Sequence, residues 1–173
     1  MIVIKTIIHL IDQLNTLIGK SVAWVTLLLV ITVFSDVVMR YLFNTSFVFV
    51  QELEWHLFAF IFLMGAGYTL LKDGHVRVDI IYQKLSKKAR AWINVIGVIF
   101  FLFPGCIMII LTSFSFFSNS YNMMECSPDP GGIPCRFIIK SAIPMGFTLV
   151  FLQGISLFLK NLMIILGISI EKD

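Results

Sequence analysis

The residues of this chain whose types and spacing suit chemistry are few. Asp36 and Arg40 stand four apart, acid first, in an otherwise uncharged run, so they share a helix face and can pair. Glu52 and Glu54 open the next apolar run, with Trp55 and His56 directly behind them, and His75 and Asp79 are again four apart after it. A carboxylate within a lipid-facing segment is costly and can serve a proton or cation relay. A histidine spaced four from an aspartate resembles an acid–base dyad, but no nucleophile or ligand set accompanies His75 and Asp79, whose spacing better suits a hydrogen-bonded loop or helix cap. His56 alone in its segment is a poor haem or metal ligand, and one turn from Glu52 it is expected to hydrogen-bond that residue. Cys106, Cys126 and Cys135 include no CxxC pair, so neither a zinc site nor a redox dithiol is indicated. No catalytic residue, substrate ligand, cofactor or metal is expected.

The elements that must position these residues are membrane helices. Of 173 residues, 58% are hydrophobic and only 13% charged, too few charges to cover a soluble domain of this size. The formal charge of +3 does not signal nucleic acid, because the basic residues fall mainly in one loop beside an apolar run. The expected fold is a single all-α integral membrane domain over 1–173, with an N-terminal amphipathic surface helix over 1–19. Four transmembrane helices follow, over 21–43, 51–71, 91–118 and 141–160. The first apolar run has no small-residue cleavage site after it, so the N-terminus is expected to be retained.

In residues 2–18 isoleucines and leucines recur at spacings of three and four while Lys5, His9, Asp12, Gln13 and Thr16 fill the other face. Such a helix lies along a membrane surface or, as the alternative, lengthens the first span. In that span Asp36 reads either as a relay or as half of a neutralised pair with Arg40, and the pair is the expectation. The hairpin formed with the second span would also bring Arg40 near Glu52 or Glu54, where a guanidinium suits a carboxylate. Gly65, Ala66 and Gly67 allow close helix packing.

The connection from Lys72 to Arg90 carries six cations against Asp73 and Asp79, so it is expected to be cytoplasmic with both termini, leaving 44–50 and 119–140 outside. Residues 91–124 carry no charge, and a helix through all of them would be about 50 Å long against a hydrocarbon layer of about 30 Å. It must tilt or protrude, with a kink at Pro104-Gly105. Cys126 and Cys135 flank a turn-rich loop and can bridge in an oxidising compartment. Pro144 is placed in the first turn of the fourth span, where its missing N–H costs nothing, and Lys160 is expected to snorkel to the membrane surface.

Arg40-Tyr41 closing the first span, Glu52 opening the second, Gly74-His75-Val76-Arg77-Val78-Asp79 after it and Pro144 opening the fourth together carry a resemblance. The chain resembles the small membrane subunit of tripartite ATP-independent periplasmic (TRAP) transporters over its whole four-span pattern. The cysteine-flanked loop Ser127–Pro134 departs from that pattern. The resemblance implies a scaffold in the bacterial inner membrane that pairs with a large multi-pass subunit carrying the substrate and sodium sites. A periplasmic binding protein would deliver an organic acid, a C4-dicarboxylate or sialic acid, with the sialic acid branch favoured. Lipids are the remaining partner.

Rival readings fail on particular residues. A quinone-linked disulfide-forming enzyme needs a cysteine pair in 44–50, which has none, and a four-helix cytochrome b needs paired intramembrane histidines where only His56 is present. A self-contained homo-oligomeric exporter coupled through Asp36 is the alternative to the scaffold.

Overall fold

The computed structural model describes residues 2–74 and 85–168, and among these it is helix and connecting turns without strands. Four helical stretches are long and apolar enough to cross a membrane: Val3–Leu42, Val48–Leu71, Lys87–Asn122 and Phe137–Ile165. The helices are α1 (Ile2–Leu42), α2 (Val48–Leu71), α3 (Lys87–Gly97), α4 (Phe103–Asn122) and α5 (Phe137–Ile165), with a π-helical turn at Val98–Leu102 joining α3 to α4.

The separation expected near 19–21 is absent: α1 is one helix of 41 residues. Nothing there breaks it. Gly19 sits against the Tyr68 ring, where a Cβ would collide, and Ser21 turns its hydroxyl back to the Leu17 carbonyl at 3.1 Å. The helix stops where Asn44 takes a positive φ of 51° and Thr45 N–H returns to the Met39 carbonyl at 3.2 Å.

The long third stretch is not uniform. Pro104 has no N–H to give the carbonyl four residues back, and just before it the hydrogen bonding widens, with Phe103 N–H reaching Val98 five residues earlier. The chain absorbs the proline in a π-turn and runs on. Helix α5 begins at Phe137, so Pro144 lies well inside it rather than in its first turn.

Helix α5 packs against every other helix; α2 fits between it and α1, and α4 lines its opposite flank. Val22, Met64 and Leu149 bring α1, α2 and α5 together. At Gly146 the backbones of α5 and α2 meet so closely that a Cβ would stand 2.5 Å from the Leu63 carbonyl oxygen. The surface is the reverse of a soluble protein's: Trp24 is 75% exposed and Phe62 69%, while Asn15, Gln153 and Ser156 are at most 2% exposed. Apolar side chains outside and polar ones between helices suit a lipid solvent.

Candidate functional site

Two polar clusters hold the slab, one at each end. At the end where α1 begins and α5 finishes, Asp12 on α1 receives three side chains of α5: Gln153 Nε2 at 3.0 Å, Ser156 Oγ at 2.7 Å and Lys160 Nζ at 2.6 Å. Asn15 Nδ2 donates to Gln153 Oε1 at 2.9 Å and to the Ile11 carbonyl at 3.2 Å, and its side chain abuts Gly67 of α2. Lys160 thus ends on a carboxylate of α1, both side chains remaining about a quarter exposed. Beside it Asn94 of α3 donates to Asn161 of α5 at 3.1 Å. Sequence reasoning passed over this cluster, although Asp12, Asn15 and Thr16 on one helix and Gln153, Ser156 and Lys160 on the other each fall on one face.

At the opposite end the loop between α4 and α5 folds over α2. Glu52 accepts from Ser127 Oγ at 2.5 Å and from the Ile133 N–H at 2.6 Å. Gly132 allows this approach, since a Cβ there would lie 2.7 Å from Glu52 Oε2. Glu125 pairs with Lys140 and accepts from Ser120 Oγ at 2.6 Å. The Lys140 ammonium, and after it the Ser120 hydroxyl, hold the Glu125 carboxyl below its ordinary value of 4.5. Arg136 stands 5.5 Å over the Trp55 ring, and Lys140 lies 4.1 Å over Phe116.

Asp36 and Arg40 do pair, with Asp36 only 4% exposed. The contact expected between Arg40 and Glu52 or Glu54 is not made. Arg40 is satisfied within its own helix, while Glu52 is taken by the loop. Glu54 Oε1 is buried with no hydrogen-bond partner. His56 meets the Glu52 carbonyl oxygen through Nδ1 at 2.6 Å, not its carboxylate. Tyr41 is exposed at the end of α1, and Pro144 lines an apolar groove of about 500 Å³ with Ile18, Met64, Ile110, Phe114 and Leu149. Cys126 and Cys135 are free thiols although the hydrogen bonds from Ser127 N to Ile133 O and from Arg136 N to Glu125 O flank them. Cys126 Sγ is directed to the Met124 carbonyl at 3.4 Å, and Cys135 takes a φ of 62°. His75 and Asp79 lie outside the described residues.

The arrangement offers no catalytic set; among the described residues no group of three or more His, Cys, Asp or Glu side chains is placed to hold a metal. It fastens helices. Residues 29–163 match the family model described as the DctQ component of tripartite ATP-independent periplasmic transporters, well over half of the chain. This chain belongs to the DctQ family. That is a family of transporter components, not an enzyme class, and it makes the chain a multi-pass membrane subunit of a TRAP system. A comparison with curated proteins returned no match. The DctQ match takes in Asp36, Arg40, Glu52, the folded-over loop and most of α5. Asp12 and Asn15 lie before it, so the cluster at the terminal end fastens a segment outside the match to one inside it.

Proposed function

We infer that this chain is the scaffold subunit of a sodium-driven, binding-protein-dependent transporter that imports an organic acid, a C4-dicarboxylate or sialic acid with the latter favoured. It would hold a larger multi-pass subunit in the bilayer, and a periplasmic binding protein would deliver the substrate. The observation that carries this reading is that each carboxylate of the two clusters and of the α1 pair is already engaged within the chain. Asp12 is held by Lys160, Asp36 by Arg40, Glu52 by Ser127 and the Ile133 N–H, and Glu125 by Lys140. A carrier needs groups that bind and release its cargo, whereas a support needs groups that stay bound. With its cation-rich connection from Lys72 to Arg90 inside, both termini are cytoplasmic and the Glu52 cluster faces the periplasm.

The deciding experiment is affinity purification of the tagged chain from its host's membranes in mild detergent, with mass spectrometry of what accompanies it. A large multi-pass protein at near one-to-one ratio supports the scaffold. Recovery of this chain alone as a stable homo-oligomer overturns it in favour of the exporter coupled through Asp36. Uptake of labelled sialic acid and of a labelled C4-dicarboxylate into cells with and without the chain, each in the presence and absence of sodium, then identifies the cargo and the driving ion.

A further inference from the structure

The loop that folds over Glu52 is itself a hairpin. Its tip is Asp129-Pro130-Gly131-Gly132: the Gly132 N–H returns to the Asp129 carbonyl at 3.0 Å and Gly131 takes a φ of 80°, as a type II turn requires. The limbs on either side run antiparallel. They are joined by the Ser127 N–H to the Ile133 carbonyl at 3.1 Å and by the Arg136 N–H to the Glu125 carbonyl at 2.8 Å. Between those two bonds the first limb carries only Cys126, and the second carries Pro134 and Cys135, one residue more, as in a bulge.

Each cysteine adjoins a fixed point. Glu125, just before Cys126, is held by Lys140 of α5 and Ser120 of α4, and the Cys135 carbonyl accepts the Ile138 N–H at 3.0 Å where α5 starts. The Glu125 carbonyl and the Arg136 N–H belong to the peptide groups next to the two cysteines, so covalent geometry keeps their Cα atoms within about 8 Å. A disulfide spans about 4.4 to 6.8 Å between Cα atoms. Bridging therefore asks for side-chain rotation and a small closing of the limbs. Cys126 Sγ is turned to the Met124 carbonyl at 3.4 Å, and a thiol is a weak donor, so little holds it there.

We propose that Cys126 and Cys135 are a redox pair whose oxidation locks the loop onto Glu52. The two groups that hold Glu52, the Ser127 hydroxyl and the Ile133 N–H, both lie within residues 127–134, the segment such a bridge closes. Bridge and clasp fix the same two limbs, so each favours the other. The exposed Cys126 thiol loses its proton to solvent and attacks one sulfur of an external disulfide, that of glutathione or of a thiol oxidoreductase, releasing one thiol. The Cys135 thiolate then attacks the Cys126 sulfur of the mixed disulfide and expels the second thiol. Two cysteine thiols are oxidised, one external disulfide is reduced to two thiols, and the two protons pass through solvent to the released sulfurs. Oxidation in the cell rests on the outward placement of this loop inferred above, because the periplasm is oxidising. The pairing itself rests on the hairpin alone.

The test uses the full chain, purified in mild detergent with whatever accompanies it and equilibrated with increasing oxidised glutathione at fixed reduced glutathione. Samples are quenched with acid, alkylated and digested for non-reducing mass spectrometry. A Cys126–Cys135 peptide is expected to replace the two alkylated thiols as oxidised glutathione rises, with buried Cys106 remaining a thiol. Glu52→Ala should raise about tenfold the oxidised glutathione needed to bridge half of the chains. Ser127→Ala, which leaves the Ile133 N–H on Glu52, should raise it by a smaller factor. Circular dichroism and gel filtration establish that each variant is folded. Free thiols throughout, glutathione on the separate cysteines without a bridge, or an unmoved midpoint in both folded variants overturns the proposal. The same measurement on acid-quenched intact cells tests the orientation separately: a bridge in the purified chain with free thiols in cells keeps the pair and overturns the outward placement of the loop.

Discussion

Asp12 and Lys160, 148 positions apart in the sequence, close an ion pair at 2.6 Å that fastens the N-terminal third of α1 to the far end of α5. The pair is backed by Gln153 and Ser156 on the same carboxylate. Neither helix needs it to be helical, so its role is to fix where one lies against the other.

Replacing Asp12 should therefore loosen the slab. Asp12→Ala removes the acceptor of three side chains and should cost on the order of 1–3 kcal/mol, with Asp12→Asn intermediate because it keeps one oxygen. Thermal denaturation of the purified chain checks this, and a double-mutant cycle with Lys160→Met isolates the pair. Full additivity in that cycle would mean that Asp12 and Lys160 do not act together.

For the α1 pair, Arg40→Ala leaves Asp36 buried without its cation, an expected loss of about 1–3 kcal/mol accompanied by reduced transporter assembly. Arg40→Lys should recover only part of this, because an ammonium lacks the planar fork. Assembly can be followed by co-purification, and parental recovery with Arg40→Ala would remove any structural role for the pair.

At the loop end, Glu52→Ala frees Ser127 and the Ile133 N–H, and should make residues 125–136 cleavable by added protease where the parent resists. Glu125 adds a pH signature. Its folded-state carboxyl is depressed below 4.5, so its contribution is fully present above that value and lost as pH falls through the lower folded value. Protease resistance should be flat from about pH 8 to 5 and fall only in stronger acid, and that fall should be smaller in Glu125→Gln.

The three thiols should separate by access. In the reduced chain Cys126 is exposed, Cys135 half-buried and Cys106 buried in α4. Timed alkylation of the folded chain should label them in that order. A Cys126–Cys135 peptide found under non-reducing conditions would show instead that the loop closes around a bridge in its native compartment.

What could be read in advance follows the range of the interactions. The four membrane helices were legible because length and hydropathy are properties of each segment alone, and Asp36 with Arg40 because four residues of helix fix their geometry. Glu52 stood out as an acid at a helix entrance, but its partners come from a loop some 75 residues later, whose path no local pattern gives. The same limit hid Asp12: an amphipathic pattern marks a polar face without saying whether water or another helix covers it. Pro144 was misplaced because α5 begins at Phe137, earlier than the onset of unbroken hydropathy suggests. The hydroxyls of Ser141 and Thr148 around it return to backbone carbonyls, at 2.6 Å and 2.7 Å, so polar residues there do not mark a helix end.

The unbroken course of α1 has a mechanical meaning. A helix of 41 residues is a strut of about 60 Å, held near one end by Asp12 and Asn15 and linked through a short turn to α2 at the other. No proline or bulge interrupts it to act as a hinge, and between its ends it is braced on α2 where Gly19 meets Tyr68 and Val22 meets Met64. A subunit built this way resists deformation along its whole length, so any neighbour that moves through the membrane would have a fixed edge to move against.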